Sequence, residues 1–264
     1  MRPSYLRKGS SHRETMTNYY SVQSHFYDCT RWAFLYGRKR LIEKLDIRPG
    51  ERVVEIGCGT GANFGAIQAG LRNAGELIGI DCSGPMLRKA EQRAQENGWS
   101  NVRLLDLEYG KETVTQGQAD VVLFSYSLSM VEDWQRALSC ALSELRPDGR
   151  VGVLDFCAKR KRARSVSAEA RNIKRSAQPQ DAERKRDSAQ PQDAERKRDS
   201  AQPQEKSVNS SNWFTGWLAM NHVQADRPYQ EELSRLFEER SYTRYDAWAG
   251  LWSFYLFVGG RRPA

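Results

Sequence analysis

The stretch Val53-Val54-Glu55-Ile56-Gly57-Cys58-Gly59-Thr60-Gly61-Ala62 constrains this chain more than any other. Arg52 to Ile56 reads as a short buried strand, and three glycines follow at alternate positions. A helix is then predicted from Asn63 to Leu71. Glycine adopts backbone angles closed to other residues and lets a ligand lie against the main chain. A strand, a tight glycine turn and a helix start form the ligand crevice of a doubly wound sheet. The pattern is E-x-G-x-G-x-G, not the G-x-G-x-x-G of dinucleotide binders, so the ligand need not be a dinucleotide.

A second acid, Asp81, stands twenty positions after Gly61 and closes the run Leu77-Ile78-Gly79-Ile80. An acid there can accept both ribose hydroxyls of a nucleoside. A third, Asp106, follows the apolar run Val102 to Leu105. This constellation resembles the class I S-adenosylmethionine-dependent methyltransferases. The resemblance implies that Gly57, Gly59 and Gly61 pass under the methionine part of the cofactor. It puts Asp81 on the ribose and Asp106 near the adenine amine. It extends the cofactor set to Tyr27, Arg38, Glu55, Cys58, Cys82, Met86, Leu107 and Ser125. The alternative is an ordinary doubly wound fold whose glycines serve packing.

The rest of the chain fits an alternating α/β pattern. Helices are predicted over Arg38 to Asp46, Gly84 to Asn97, Asp133 to Leu145 and Pro228 to Glu239. Further strands are predicted over Asp120 to Phe124 and Arg150 to Phe156, with Arg146-Pro147-Asp148-Gly149 as the turn between helix and strand. Ser241 to Trp248 and Leu251 to Gly259 read as a hairpin whose alternating aromatics suit strands covered on both faces. The expected architecture is a doubly wound, seven-stranded, mostly parallel sheet with an antiparallel last strand.

Two stretches stand apart in composition. Ser176–Asp187, SAQPQDAERKRD, recurs unchanged at Ser188–Asp199, and a third copy begins at Ser200. Alanine is its only apolar residue, too little to stack repeats into a solenoid. A charged, proline-containing unit of this kind cannot offset the entropy of ordering. Residues 159–208 are therefore expected to be a disordered basic insert in a domain made of 16–158 and 209–264. Residues 1–15 are expected to be a disordered tail, with Met16 as an alternative start. The formal charge of +8 belongs mostly to the insert, where fifteen Lys or Arg face eight Asp or Glu. That net of +7 leaves +1 for everything else, so the charge does not argue for nucleic acid as a partner.

Five scattered cysteines (29, 58, 82, 140, 157) show no metal-like pairing, and the three histidines (12, 25, 222) no ligand spacing. No metal is expected. The thiols read as structural and the compartment as reducing and cytoplasmic. No window approaches a membrane span, so any membrane contact would be peripheral, at the inner face.

Aromatics crowd Tyr19 to Leu45, read as two short helices across the mouth of the pocket. They serve as a packed cap, as a lid touching cofactor and substrate, or as both. Within it, Tyr27-Asp28-Cys29-Thr30-Arg31-Trp32-Ala33-Phe34-Leu35-Tyr36-Gly37-Arg38 resembles the Y-D-x-T-R-W-x-F-L-x-G-R segment of betaine-lipid methyltransferases. Trp217 to Val223, within a predicted short helix, and Gly250 to Gly259 are similar to the same group. The resemblance implies stepwise N-methylation of a diacylglyceryl-homoserine head group. It implies a 3-amino-3-carboxypropyl transferase as functional partner. Phospholipid methyltransferases of the phosphatidylethanolamine type share part of the first segment, and a soluble small-molecule acceptor or a non-catalytic scaffold are further readings.

Amino methyltransferases of nucleic acids end their fourth strand in [Asp/Asn]-Pro-Pro-[Tyr/Phe]. Here the position reads Phe124-Ser125-Tyr126-Ser127-Leu128, which argues against base methylation. Ser125 and Tyr126 are expected at the strand end, facing the methyl donor. A trimethylammonium favours aromatic faces, since cation–π attraction needs no proton to donate. Tyr19, Tyr20, Tyr27 and Trp32 are the candidates, and Arg31, Arg38 or His222 could hold a head-group carboxylate. The catalytic candidates are Tyr27, Tyr126 and His222, with Tyr126 and His222 also expected against the substrate.

Overall fold

Apolar runs without strict alternation belong in strands buried on both faces, and this chain builds its centre from them. The computed structural model describes residues 36–157, 223–247 and 252–262, all within one unit. The strands are β1 (Arg52–Ile56), β2 (Glu76–Asp81), β3 (Val102–Asp106) and β4 (Ala119–Ser125). They continue with β5 (Leu145–Cys157), β6 (Phe237–Ala247) and β7 (Trp252–Arg261). They form one seven-stranded sheet in the order β3-β2-β1-β4-β5-β7-β6. β1 to β5 are mutually parallel, and β7 runs antiparallel to both β5 and β6. This is the architecture expected from the sequence.

Successive side chains of a strand point to opposite faces, so each strand serves two cores. On one face Val53, Val121, Leu123, Trp252, Phe254 and Leu256 pack with α1 (Arg38–Leu45), α2 (Phe64–Leu71) and α3 (Gly84–Glu96). On the other, Val54, Ile56, Val122, Phe124, Tyr255 and Phe257 pack with α4 (Trp134–Glu144) and α5 (Tyr229–Leu236). The strand order reverses between β1 and β4, so the connections leaving them diverge and open a crevice at the carboxyl ends.

Two predicted boundaries move. The helix expected to reach Glu239 stops at Leu236, because Phe237 is fully buried and pairs with Arg261 as the first residue of β6. Tertiary burial there overrides the helix propensity of Glu238 and Glu239. The turn expected at Arg146 to Gly149 is part of β5, since Leu145 already pairs with Ala119 before a register shift restores the ladder at Arg150. The N-terminal helices, the tail, the repeat insert and the helix around Trp213 to His222 lie outside the described residues.

Candidate active site

The crevice at the switch point is a cleft of about 950 Å3, counting its solvent-open mouth. β1 delivers Glu55, and the loop after it delivers Gly57, Cys58 and Gly59. β2 delivers Asp81, followed by Cys82, with Met86 from the first turn of α3. Leu107 comes from beyond β3, Ser125 and Tyr126 from the end of β4, and Arg38 from the start of α1. All of these were singled out in the sequence, and the fold brings them to one cavity.

The glycine loop is clamped onto β2. Gly57 and Cys58 donate their amides to the Ile80 carbonyl at 2.8 and 2.9 Å. Gly59 donates to Asp81 Oδ2 at 2.9 Å, and Ser83 donates its amide to Oδ1 at 2.9 Å. Gly57 has φ +69°, and a Cβ there would lie 2.4 Å from that of Ser127. Only glycine meets both demands at that position. At Gly59 a Cβ would meet nothing within 4 Å, so the backbone there borders open space.

Each Asp81 oxygen accepts at least one backbone amide, and the roughly four acceptor positions of a carboxylate leave room for a ligand. Burial pushes the Asp81 carboxyl up, with the Asp106 charge adding to it, while the backbone amides of Ser83, Gly59 and Cys82 pull it down. Asp106 itself pairs with Asp81 in register across β2 and β3 but is exposed and does not line the cleft. The chain turns inward after the strand, and Leu107, Glu108 and Tyr109 form the cleft wall there. Gly61, with φ +71°, likewise shapes the turn beside the Phe64 ring without lining the cavity.

Glu55 is 1% exposed, and its Oε1 accepts from Asn63 Nδ2 at 2.6 Å. Its Oε2 is buried with no hydrogen-bond partner among the described residues. Burial raises the carboxyl to about 7, while Asn63 and the Arg38 charge pull it down and Asp81 pushes it up. Arg38 Nε and Ser125 Oγ are also buried without partners among the described residues. A bare acceptor and a bare cationic donor in one cleft match the ammonium and carboxylate of an α-amino acid. With Asp81 set for a ribose, these residues fit S-adenosylmethionine.

Tyr126 lines the cleft, and its polar end is already engaged. Its hydroxyl donates to the Tyr36 carbonyl at 2.5 Å, and its ring lies 4.8 Å from that of Phe156. Burial pushes the phenol well up, with the Asp155 charge adding to it, so the hydroxyl keeps its proton and acts as a donor. Burial likewise raises the Cys58 thiol, in keeping with a structural role. Tyr19, Tyr20, Tyr27, Arg31, Trp32 and His222 lie outside the described residues. Thr60, Asn63, Glu108, Tyr109, Ser127, Met130 and Val131 line the cleft without having been singled out. Asn63 could have been found from its place ahead of α2, as its N-cap. Ser127 and Met130 sit around a single 3-10 turn, Leu128–Met130, that leaves no periodic signature.

A seven-stranded sheet with its glycine crevice at the β1–β4 switch defines a nucleoside-cofactor-binding α/β protein. Residues 47–240 match the family described as "Methyltransferase domain", and the chain belongs to that family. It is 31% identical to nocamycin O-methyltransferase of Saccharothrix syringae over 44% of this chain and 41% of that one. It is 28% identical to demethylmenaquinone methyltransferase of Lactobacillus johnsonii over 45% of this chain and 49% of the other. The chain thus spans about half the length, or less, of these curated relatives. Among solved structures, 1,6-didemethyltoxoflavin-N1-methyltransferase of Burkholderia thailandensis, which holds S-adenosylhomocysteine, superposes with a TM-score of 0.58. Its identity is 13%, over 98% of this chain and 93% of that chain, a likeness of fold alone.

Proposed function

We propose that this chain is an S-adenosylmethionine-dependent N-methyltransferase whose acceptor is a lipid head-group amine, in the first place diacylglyceryl-homoserine. The observation that carries the cofactor half is the pair of orphaned groups, Glu55 Oε2 and Arg38 Nε, in one cleft at the switch point. When bound, the cofactor supplies the methyl carbon and the sulfide leaving group. The chain's own residues do the rest by holding geometry. Glu55 and Arg38 grip the amino-acid end, Asp81 the sugar, and Leu107, Tyr109, Met130 and Val131 wall the cleft with apolar surface. Alignment of acceptor and donor then supplies the larger part of such a rate enhancement.

The acceptor half rests on sequence. The segment Tyr27 to Arg38 resembles that of betaine-lipid methyltransferases, and its last residue is the cleft's Arg38. A lipid acceptor requires access to a bilayer. No helix among the described residues is long and apolar enough to cross one, so the contact proposed is peripheral, at the inner face. The catalytic and substrate roles of Tyr27, Tyr19, Tyr20, Arg31, Trp32 and His222 belong to this proposal. A second reading is favoured by the curated relatives, whose names point to nocamycin and demethylmenaquinone chemistry: a soluble small-molecule methyltransferase.

The test is mass spectrometry of lipids from a host expressing the chain with and without a 3-amino-3-carboxypropyl transferase. A trimethylated homoserine lipid formed only with both enzymes is the expected outcome. Methylated phosphatidylethanolamine would shift the acceptor to phospholipid. Purified protein that ignores lipid amines but methylates a quinol or phenol would overturn the lipid reading and leave the methyltransferase standing.

A further inference from the structure

Tyr126 occupies a backbone conformation that a bulky side chain avoids. Its φ is +58°, in the left-handed region, where residues other than glycine are uncommon. Such strain persists only where the surroundings hold it, and it gathers at functional sites. Three contacts hold it here. The Tyr126 amide donates to the Leu154 carbonyl at 2.7 Å, the ring packs on Phe156, and the hydroxyl reaches the Tyr36 carbonyl, 90 positions away in the chain.

The acceptor's place gives that last bond its meaning. Tyr36 is 42% exposed and directly precedes Gly37, the N-cap of α1. Gly37 has φ +87° and no side-chain cap, and a Cβ there would sit 3.1 Å from the Phe254 ring and 3.3 Å from Leu154. The helix start is therefore pressed against the sheet from one side and tied by Tyr126 from another. The next residue is Arg38, whose unpartnered Nε belongs to the cleft.

We infer that Tyr126 is a positioning residue: its hydroxyl latches the Tyr36–Gly37 peptide so that Arg38 meets the carboxylate of the cofactor's amino-acid end. The inference rests on the cofactor reading above and deepens it. The strained loop at the end of β4 thereby sets the grip of a side chain that the sequence places far from it. The phenol, kept protonated by burial, is suited to a permanent donor's task.

The latch makes a ligand-selective claim. S-adenosylhomocysteine carries the carboxylate, whereas 5′-methylthioadenosine shares its adenosyl part and lacks the amino-acid end. Calorimetric titrations of the full chain with both ligands test it, on the wild type, Tyr126→Phe, Arg38→Ala and the double variant. Tyr126→Phe is expected to weaken S-adenosylhomocysteine roughly three- to tenfold, the worth of one hydrogen bond, and to leave 5′-methylthioadenosine within about twofold. In the Arg38→Ala background the same change should add nothing, since a latch acting through Arg38 has nothing left to position. Gly37→Ala, which displaces the same helix start, should show the same selectivity. Equal weakening of both ligands, no weakening, or a loss that persists without Arg38 would overturn the latch alone. A well-folded wild type that binds neither ligand would overturn the cofactor reading, and the latch with it.

Discussion

The two ends of the sheet solve opposite problems. Around β1, β2 and β4 the carboxyl ends are left open, lined by acids, bare polar atoms and backbone without side chains. Around β5 and β7 the sheet is sealed, with Trp252, Phe254 and Leu256 on one face and Tyr255 and Phe257 on the other. Aromatic rings stack along that end, Tyr229 on Tyr255 at 6.0 Å and Tyr242 on Tyr255 at 5.9 Å. The sealed end supplies stability. The open end spends part of it, holding Glu55 desolvated with one oxygen unpaired. A chain of this kind can keep a strained polar cleft because the other half of its sheet is closed.

This division separates stability from affinity, and substitution can test the separation. The largest effect belongs to the sealed end. Phe257 is fully buried, and Phe257→Ala should cost about 3–5 kcal/mol in urea unfolding. Cofactor affinity of the remaining folded protein should stay within about twofold. A large loss of affinity would mean that the two ends are not separate.

Glu55→Gln should act with the opposite sign on stability. Glu55 stands at about 7 in the folded protein against an ordinary carboxyl of 4.5. The folded state therefore holds the proton more tightly than the unfolded chain. The stability that Glu55 contributes by being protonated is present below 4.5 and is lost as pH rises through about 7. Removing the charge should stabilise the ligand-free protein by about 1–3 kcal/mol above pH 7 and by little at pH 4.5. Binding should move the other way. Wild-type affinity for S-adenosylhomocysteine is expected to fall as pH drops through 7, and the Gln variant should bind more weakly and with a flatter profile. Denaturant curves and titrations at pH 6 and 8 read both. A Gln variant that binds as well as wild type at pH 8 would remove Glu55 from the site.

The smallest effect marks the exposed surface. Lys39 Nζ and Glu43 Oε1 form an i,i+4 pair at 3.9 Å on α1, close in sequence to Arg38 but solvent-exposed. Glu43→Ala should change stability by less than about 0.5 kcal/mol, less still at high salt, and leave affinity unaltered. A larger change would mean that α1 responds as a whole and that the latch is not local.

Much of the cleft was legible because its parts are local. Glu55, the glycines and Asp81 sit at strand ends whose apolar runs announce them, and the ladder Ile56 with Ile80 carries them together. Tyr255 and Phe257 were likewise readable from alternation. What stayed hidden depends on distant contacts. Nothing near Tyr126 in the chain foretells a bond to Tyr36, and nothing near Phe237 foretells its pairing with Arg261. Asp106 shows the limit of a pattern: its strand ends as expected, but the cleft wall is built from the residues just after it.

The central claim is that the crevice between β1 and β4 holds S-adenosylmethionine by its two ends. Isothermal titration of S-adenosylhomocysteine into the full chain at pH 8 tests it most directly. A saturable one-site isotherm that Asp81→Ala abolishes, in protein whose circular dichroism is unchanged, is the predicted result. A folded wild type giving no saturable heat, or an Asp81→Ala variant binding undiminished, would contradict it.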